Sequence, residues 1–441
     1  MLGIFGKRML IQAQDAERQT PASRNRTADF YRALAICFVV LGHWLMIAPF
    51  VQYGAVEQRN ILALQPSIQY LTWLFQVMPV FFFVGGFANA TSWTAARGTL
   101  ARRQNWASQR LRRLLLPVVP PVLFWSLAAA LVFQLGLKPE FAQAASRVVS
   151  PVWFLAVYII VTFVTPLSFA VWERIGLWSV AILALAAVFF DIVGVGLGQE
   201  WVRWLNYATI WLAIHQLGFW WHRGDPRRGG IGLLFLAGAV SIWALVTFAG
   251  YPISMVLAPG EDFYNQHPPT TAILALGLLQ VSLLLLLARP VNAWLRRETL
   301  WAMVIAVAQR IMTIYLWHLT AAAIIVGLAL AFGGFGLTIE PGTATWWLTR
   351  PVWIAVLVAA MLPLVFVFGR FESGSRTHTT EVPGTVQVSI GAIIGCAGLA
   401  LLALGGIRVD HFPGFNWVAC VIILIGVFLS TRRMAMAEPR S

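Results

Sequence analysis

The sequence predicts an all-α fold: a polytopic transmembrane helical bundle of about twelve helices, with both termini cytoplasmic. Three observations predict it. Of 441 residues, 59% are hydrophobic and only 11% charged, with 21 tryptophans, a composition foreign to ordinary soluble domains. Apolar runs of spanning length recur along the chain, separated by short polar stretches. Lysines and arginines fall on alternate connections, as short cytoplasmic loops require.

The chain opens with a polar, mixed leader, residues 1–29, read as a cytoplasmic tail. The run that follows is too long for the core of a cleavable signal peptide, so the first helix is expected to stay in the protein. Apolar runs then place helices near 30–52, 68–94, 114–137, 151–171, 175–198, 204–222, 231–250, 270–288, 311–335 and 349–369. These make up a membrane domain, 30–370. The stretch ESGSRTHTTEVPG supplies a cytoplasmic linker, 371–384, before an additional two-helix segment, 385–430, and a cytoplasmic tail, 431–441. Runs at 385–407 and 414–430 form that pair, which carries no strongly polar residue and is read as accessory.

With the N-terminus inside, 23 lysines and arginines lie on the cytoplasmic side. Only six lie opposite: Arg59, Lys138, Arg147, Arg203, Arg350 and Arg408. The net charge of +14 is therefore first a topology signal and a means of anchoring to anionic lipid, and it calls for no nucleic acid. Cys37, Cys396 and Cys420 stand inside apolar runs without metal or disulfide spacing. No GxSxG, Walker A or HExxH motif is present, and no metal is expected. The function classes that remain are group transfer and transport.

Polar residues inside the runs are the candidates for chemistry. Arg32 and His43 share the first run; eleven helical positions bring them to within about 20° of one face, roughly 16 Å apart. Arg32 then falls near a headgroup layer, and His43 near mid-hydrocarbon, where ionisable residues are rare and usually functional. His215 and His318 fall about 10–20 Å into the membrane at a similar depth. Gly85 and Gly86 interrupt the aromatic second run: either they let two helices pack closely or bare backbone at Gly86 admits a ligand. The run RGTLARRQNWASQRLRRLLLP holds six arginines and no acid, and Arg110, Arg112 and Arg113 abut the third run, where they can grip phosphates. Asp191, towards the outer half of the fifth run, reads first as an interhelical hydrogen-bonding group, with an arginine or an acceptor as alternative partners.

Taken in order, these motifs resemble the acyltransferase-3 family of integral membrane acyltransferases over roughly residues 24–370. Arg32 and His43 are similar to its Arg-x10-His motif, and Asp29 occupies the place of the acid in its Asp-Gly-Leu-Arg lead, with Phe30 and Tyr31 replacing Gly-Leu. FFFVGGF at 81–87 resembles Phe-Phe-x-x-Ser-Gly-Phe, with Gly85 in place of the serine. RLRRLLLP at 110–117 is similar to the basic stretch entering the third helix, PVWFLAVYIIVTFVTPL at 151–167 to the Trp-Phe-Leu helix, and IYLWHLT at 314–320 to a late Leu-Trp-His motif.

The resemblance implies a ten-helix acyltransferase core followed by two further helices. It implies transfer of an acyl group, acetyl or larger, from cytoplasmic acyl-CoA to a hydroxyl of a sugar, glycan or glycolipid in a bacterial plasma membrane. His43 would be the general base and Arg32 would bind the donor. Arg110, Arg112 and Arg113 would hold CoA phosphates, and Asp29, Gly86, Phe87, Trp153 and His318 would line the pocket. A proton-coupled transporter or exporter is the main alternative, since buried His and Arg also describe secondary carriers; a non-catalytic lipid-binding member is a third.

Overall fold

Capping and proline positions decide where the apolar runs begin and end as helices. The computed structural model describes residues 24–53, 55–136, 148–149, 151–224, 226–259, 263–372 and 383–431. The predicted leader up to residue 23, the linker from 373 to 382 and the tail from 432 lie outside them. Helix α1 (Arg26–Met46) starts at Asn25, whose Oδ1 accepts from the Ala28 N–H at 3.0 Å, with Asp29 in the first turn, where an acid suits the positive end of the helix.

α1 ends at Met46, not at residue 52 as hydropathy predicts. Pro49 disfavours helical backbone at Ala48, and the chain turns instead into a hairpin of β1 (Ile47–Gln52) and β2 (Ala55–Asn60). Ile47 lies opposite Asn60 and Gln52 opposite Ala55. His43 therefore sits in the last turn of its helix, nearer the helix end than a run reaching residue 52 implies.

Three short helical turns, Ile61–Leu64, Pro66–Leu71 and Thr72–Phe75, lead into α2 (Met78–Ala96). α3 (Leu100–Leu115) buries Trp106, Leu111 and Leu115 and carries the arginines elsewhere; Pro117 breaks it before α4 (Val119–Gln134). α5 (Val152–Ile175), α6 (Leu177–Asp191), α7 (Asn206–His222), α8 (Arg228–Phe248) and α9 (Thr271–Trp294) follow. An unpredicted short helix, α10 (Glu298–Ala308), precedes α11 (Ile311–Ala331), α12 (Ala344–Glu372), α13 (Thr385–Gly405) and α14 (Trp417–Thr431).

Each of the twelve predicted runs contains a helix. Among the described residues ten helical stretches are long and apolar enough to cross a membrane. α7 and α14, at 17 and 15 residues, are shorter.

The helices divide into two compact units. The first comprises residues up to Thr91, Thr165–Ile311 and Val326–Val356; the second comprises Ser92–Val164, Met312–Ile325 and residues from Leu357 onward. In the first unit α8 crosses α9 backbone to backbone, because a Cβ at Gly238 would meet the Leu279 nitrogen at 2.6 Å. α10 packs on α1 through Ala33, Trp301 and Ile305.

In the second unit the final pair, α13 and α14, is locked by glycines, a Cβ at Gly426 falling 2.5 Å from Gly395 Cα. The pair is built into that unit. Ser108 Oγ on α3 donates to the Ser430 carbonyl on α14 at 3.0 Å, and Ser126 Oγ on α4 lies 3.1 Å from Cys420 Sγ.

Candidate active site

The first unit carries the Arg32–His43 helix. Asp29 accepts from Arg24 Nε at 2.6 Å and from Arg32 Nη2, one turn on, at 2.9 Å. Its side chain is 11% exposed, against 33% for Arg32 and 41% for Arg24, so the inner pair is the better shielded of the two. Arg32 Nε is buried and has no hydrogen-bond partner among the described residues. Arg24 and Arg26 place their guanidinium carbons 5.9 and 4.9 Å from the Trp301 ring, and Arg26 Nη1 donates to the Leu295 carbonyl at 3.0 Å.

Three arginines and one acid thus make a cationic platform at the start of α1, ordered by an indole. Tyr31 ties this turn to α9 by donating to the Leu284 carbonyl at 2.6 Å. At the other end of α1 His43 is half-buried. The room beside Gly42 is taken by the Phe75 ring, 3.3 Å from where a Cβ would stand.

The structure decides between the two readings of Gly86. A Cβ there would fall 1.8 Å from the His215 carbonyl oxygen, and one at Gly218 would fall 2.2 Å from the Phe83 carbonyl oxygen. α2 and α7 therefore touch through bare backbone, and no space is left for a ligand at Gly86. Phe87 packs its ring 4.5 Å from that of Trp221 in the same crossing.

Beside this contact Asn89 Nδ2 and His215 Nε2 pair at 3.1 Å, both residues fully buried. Asn89 was not among the sequence candidates. Its signal was an amide one turn past the glycine pair in an apolar run.

Asp191 proves to be a satisfied interhelical acid. It accepts from Asn206 Nδ2 at 2.8 Å, Tyr251 OH at 3.1 Å, and the Thr271 N–H and Oγ1 at 2.5 and 2.7 Å. These bonds join α6, α7, the loop before α9 and the N-terminus of α9 itself, where a carboxylate is favoured.

The second unit holds the other predicted group. Arg110 Nη2 and Trp106 Nε1 both donate to Ser92 Oγ, at 2.6 and 2.9 Å. On the helix, Arg103, Arg110 and Arg113 share an arc of about 80°, whereas Arg112 lies about 160° from Arg110. The three predicted phosphate ligands are thus split, with Arg110 and Arg113 on one side of α3 and Arg112 on another.

His318 is fully buried, with Nδ1 2.6 Å from the Tyr315 carbonyl oxygen. A carbonyl only accepts, so Nδ1 carries a proton. Tyr315 in turn donates to the Pro151 carbonyl at 2.5 Å and packs its ring 5.7 Å from that of Phe154. This joins the His318 helix to the start of α5, where Trp153 is half-buried. Glu372 holds the N-terminus of α11, accepting from the Met312 and Thr313 N–H groups at 3.0 and 2.9 Å and from Thr313 Oγ1 at 2.9 Å. A small cavity of about 10 Å³, lined by Val122, Trp125, Pro151, Tyr315 and Leu316 among others, has room for one water-sized group.

The structure therefore gathers the predicted residues in two groups: Asp29, Arg32, His43, Gly86 and Phe87 in the first unit, and Arg110, Arg112, Arg113, Trp153 and His318 in the second. No curated protein and no solved structure matches the chain. A family model described as an acyltransferase domain matches residues 25–370, from the Asn25 cap of α1 almost to the end of α12, and leaves α13 and α14 outside. A match over more than three-quarters of a multi-helix membrane chain shows the family: the protein belongs to the acyltransferase-3 family.

Proposed function

We propose that the protein moves an acyl group from cytoplasmic acyl-CoA to a hydroxyl of a sugar-bearing acceptor at the plasma membrane, with His43 as the general base. One observation carries this reading: within an acyltransferase family, α1 presents an Asp29-ordered Arg32 and a His43 on one face, eleven residues apart. An extended chain gains about 1.2 Å per bond. The roughly thirteen bonds between the thioester sulfur and the pyrophosphate of an acyl-CoA thus span about 16 Å, the rise of eleven helical residues. A phosphate at Arg32 puts the thioester at the level of His43.

The chemistry follows from that placement. The acceptor hydroxyl oxygen attacks the thioester carbonyl carbon while an imidazole nitrogen of His43 takes the hydroxyl proton. The carbon–sulfur bond then breaks, the acyl group stays on the acceptor oxygen as an ester, and CoA leaves as a thiolate that accepts a proton. Arg32, ordered by Asp29, supplies positive charge that a donor phosphate needs.

The test is His43→Ala and Arg32→Ala in membranes, with mass spectrometry of the acylated product. Loss of product from a stably expressed His43→Ala protein is the expected result, and full acylation would sink the assignment. The same protein in detergent should consume labelled acyl-CoA, which a carrier, needing a sealed compartment, would not do.

A further inference from the structure

Arg350 is counted with the outer side by the charge pattern and stands second in the predicted run 349–369; in the structure its helix begins five residues before that run, at Ala344. Arg350 lies in the second turn of α12, only 6% exposed. On that helix Trp346 and Leu357 are buried on its side, while Leu348 and Val352 are 79% and 67% exposed on the other. The guanidinium therefore faces protein and not lipid.

Its surroundings fix it without neutralising it. Nε donates to the Trp346 carbonyl at 3.2 Å, and the guanidinium carbon lies 4.1 Å from the Trp346 ring centre and 5.4 Å from that of Trp353. Among the described residues no carboxylate pairs with it. Two indoles offset part of the desolvation of a cation, but a buried guanidinium without a paired carboxylate still favours an anionic partner, and its Nη atoms make no hydrogen bond among the described residues.

Position gives this fork its meaning. Trp346 packs in one cluster with Ala48, Ile61, Leu62 and Ala258, against which Met46 also rests. The start of α12 thus meets the end of α1. From that junction Arg350 is four residues along α12, about 6 Å, and His43 is three residues back along α1, about 4.5 Å. Helical rise thus puts the two residues at similar distances from that junction.

We propose that Arg350 binds an anionic group of the acyl acceptor, a carboxylate or a phosphate, at the level of His43. The proposal rests on the transfer reading above and adds a class to it: the acceptor is an acidic sugar or a phosphate-linked glycan. A planar guanidinium held on two rings suits two-point recognition of such an anion.

The experiment is native mass spectrometry of the full chain in detergent, titrated with inorganic phosphate, glucuronate and, as the neutral control, glucose. Acetyl-CoA binding is measured in parallel. Wild type should take up both anions and not glucose; Arg350→Gln should weaken anion binding about tenfold or more and leave acetyl-CoA binding unchanged. Arg350→Lys, which keeps the charge, should fall between and covers the case in which the glutamine variant does not fold.

Equal anion binding by wild type and Arg350→Gln overturns the proposal, as does binding of neither anion by wild type. Loss of acetyl-CoA binding together with anion binding moves Arg350 to the donor and overturns it too. An anionic phospholipid retained by wild type and lost from Arg350→Gln overturns it in favour of a lipid headgroup. If wild type neither binds nor consumes acetyl-CoA, the transfer reading itself fails, whatever the anions do.

Discussion

The sharpest perturbation is one methyl group at Gly86. Alanine there would place its Cβ 1.8 Å from the His215 carbonyl oxygen and 2.8 Å from its carbon. Atoms in ordinary contact stand about 3.4 Å or more apart, so α2 and α7 would have to part by roughly 1.5 Å. The neighbouring contacts do not stretch that far. Asn89 and His215 would open from 3.1 Å, and the stacked rings of Phe82 and Trp211, with centroids 4.5 Å apart, would separate. Overpacking costs about 1–3 kcal/mol, and a buried hydrogen bond left unmade about 1–3 kcal/mol more, giving roughly 2–6 kcal/mol in all. Gly232, on an exposed position of α8 with open space around it, supplies the control, since alanine there should change stability by no more than about 0.5 kcal/mol. The assay is the apparent thermal midpoint in detergent, followed by thiol-reactive dye, together with transfer activity. Gly86→Ala should lower both and Gly232→Ala neither. A Gly86→Ala protein with an unchanged midpoint but no activity would refute the packing argument, because that is the signature of a ligand lying against bare backbone.

Asp29→Asn removes the carboxylate shared by Arg24 and Arg32. Since Arg24 is the more solvated of the two, the loss falls on the aim of Arg32 at the donor phosphate, and KM for acyl-CoA should rise about tenfold; an unchanged kcat and KM would contradict this. Glu372→Ala uncaps the helix that carries His318 and should cost about 1–2 kcal/mol, read as a midpoint lower by roughly 1–3 °C. Glu372→Gln, which keeps an accepting oxygen, should recover part of it. Burial holds the His267 imidazole, in the loop before α9, below its ordinary value of 6.5. The folded state therefore binds fewer protons than the unfolded state, so this contribution to stability is present above about pH 6.5 and is lost as pH falls below it. Midpoints measured between pH 5 and 7.5 should show that slope in wild type and a shallower one in His267→Asn.

What could be read from the chain alone follows from how local each feature is. Lipid demands long stretches of one polarity and internal hydrogen bonding of every backbone group, so the twelve runs were legible from composition. The hairpin at 47–60 was not: IAPFVQ continues the apolar run, and only Pro49 hinted that the helix stops. α10 escaped notice because its eleven residues lie between Arg297 and Arg310 and look like the edge of a cytoplasmic loop. In the site, the alignment of Arg32 with His43 needed only helical arithmetic. The fate of Gly86 depended on Gly218, more than a hundred residues away, and no local pattern carries that information.

The arginines show most plainly where such reading stops. By density the run from Arg97 to Arg113 is the strongest cationic signal in the chain, yet Arg102, Arg103 and Arg113 are exposed, and a solvated guanidinium costs so little that its presence argues for almost nothing beyond topology. Arg32 is half-shielded and shares Asp29, so part of its desolvation is offset within its own helix. Arg350 stands apart from that run and is the most buried of the three kinds, with indoles against it and, among the described residues, no acid paired with it. The free-energy cost of keeping a charge there runs opposite to the density of charge along the sequence. An arginine that the fold buries at that cost is stronger ground for a binding role than the exposed ones of that run, which water already solvates.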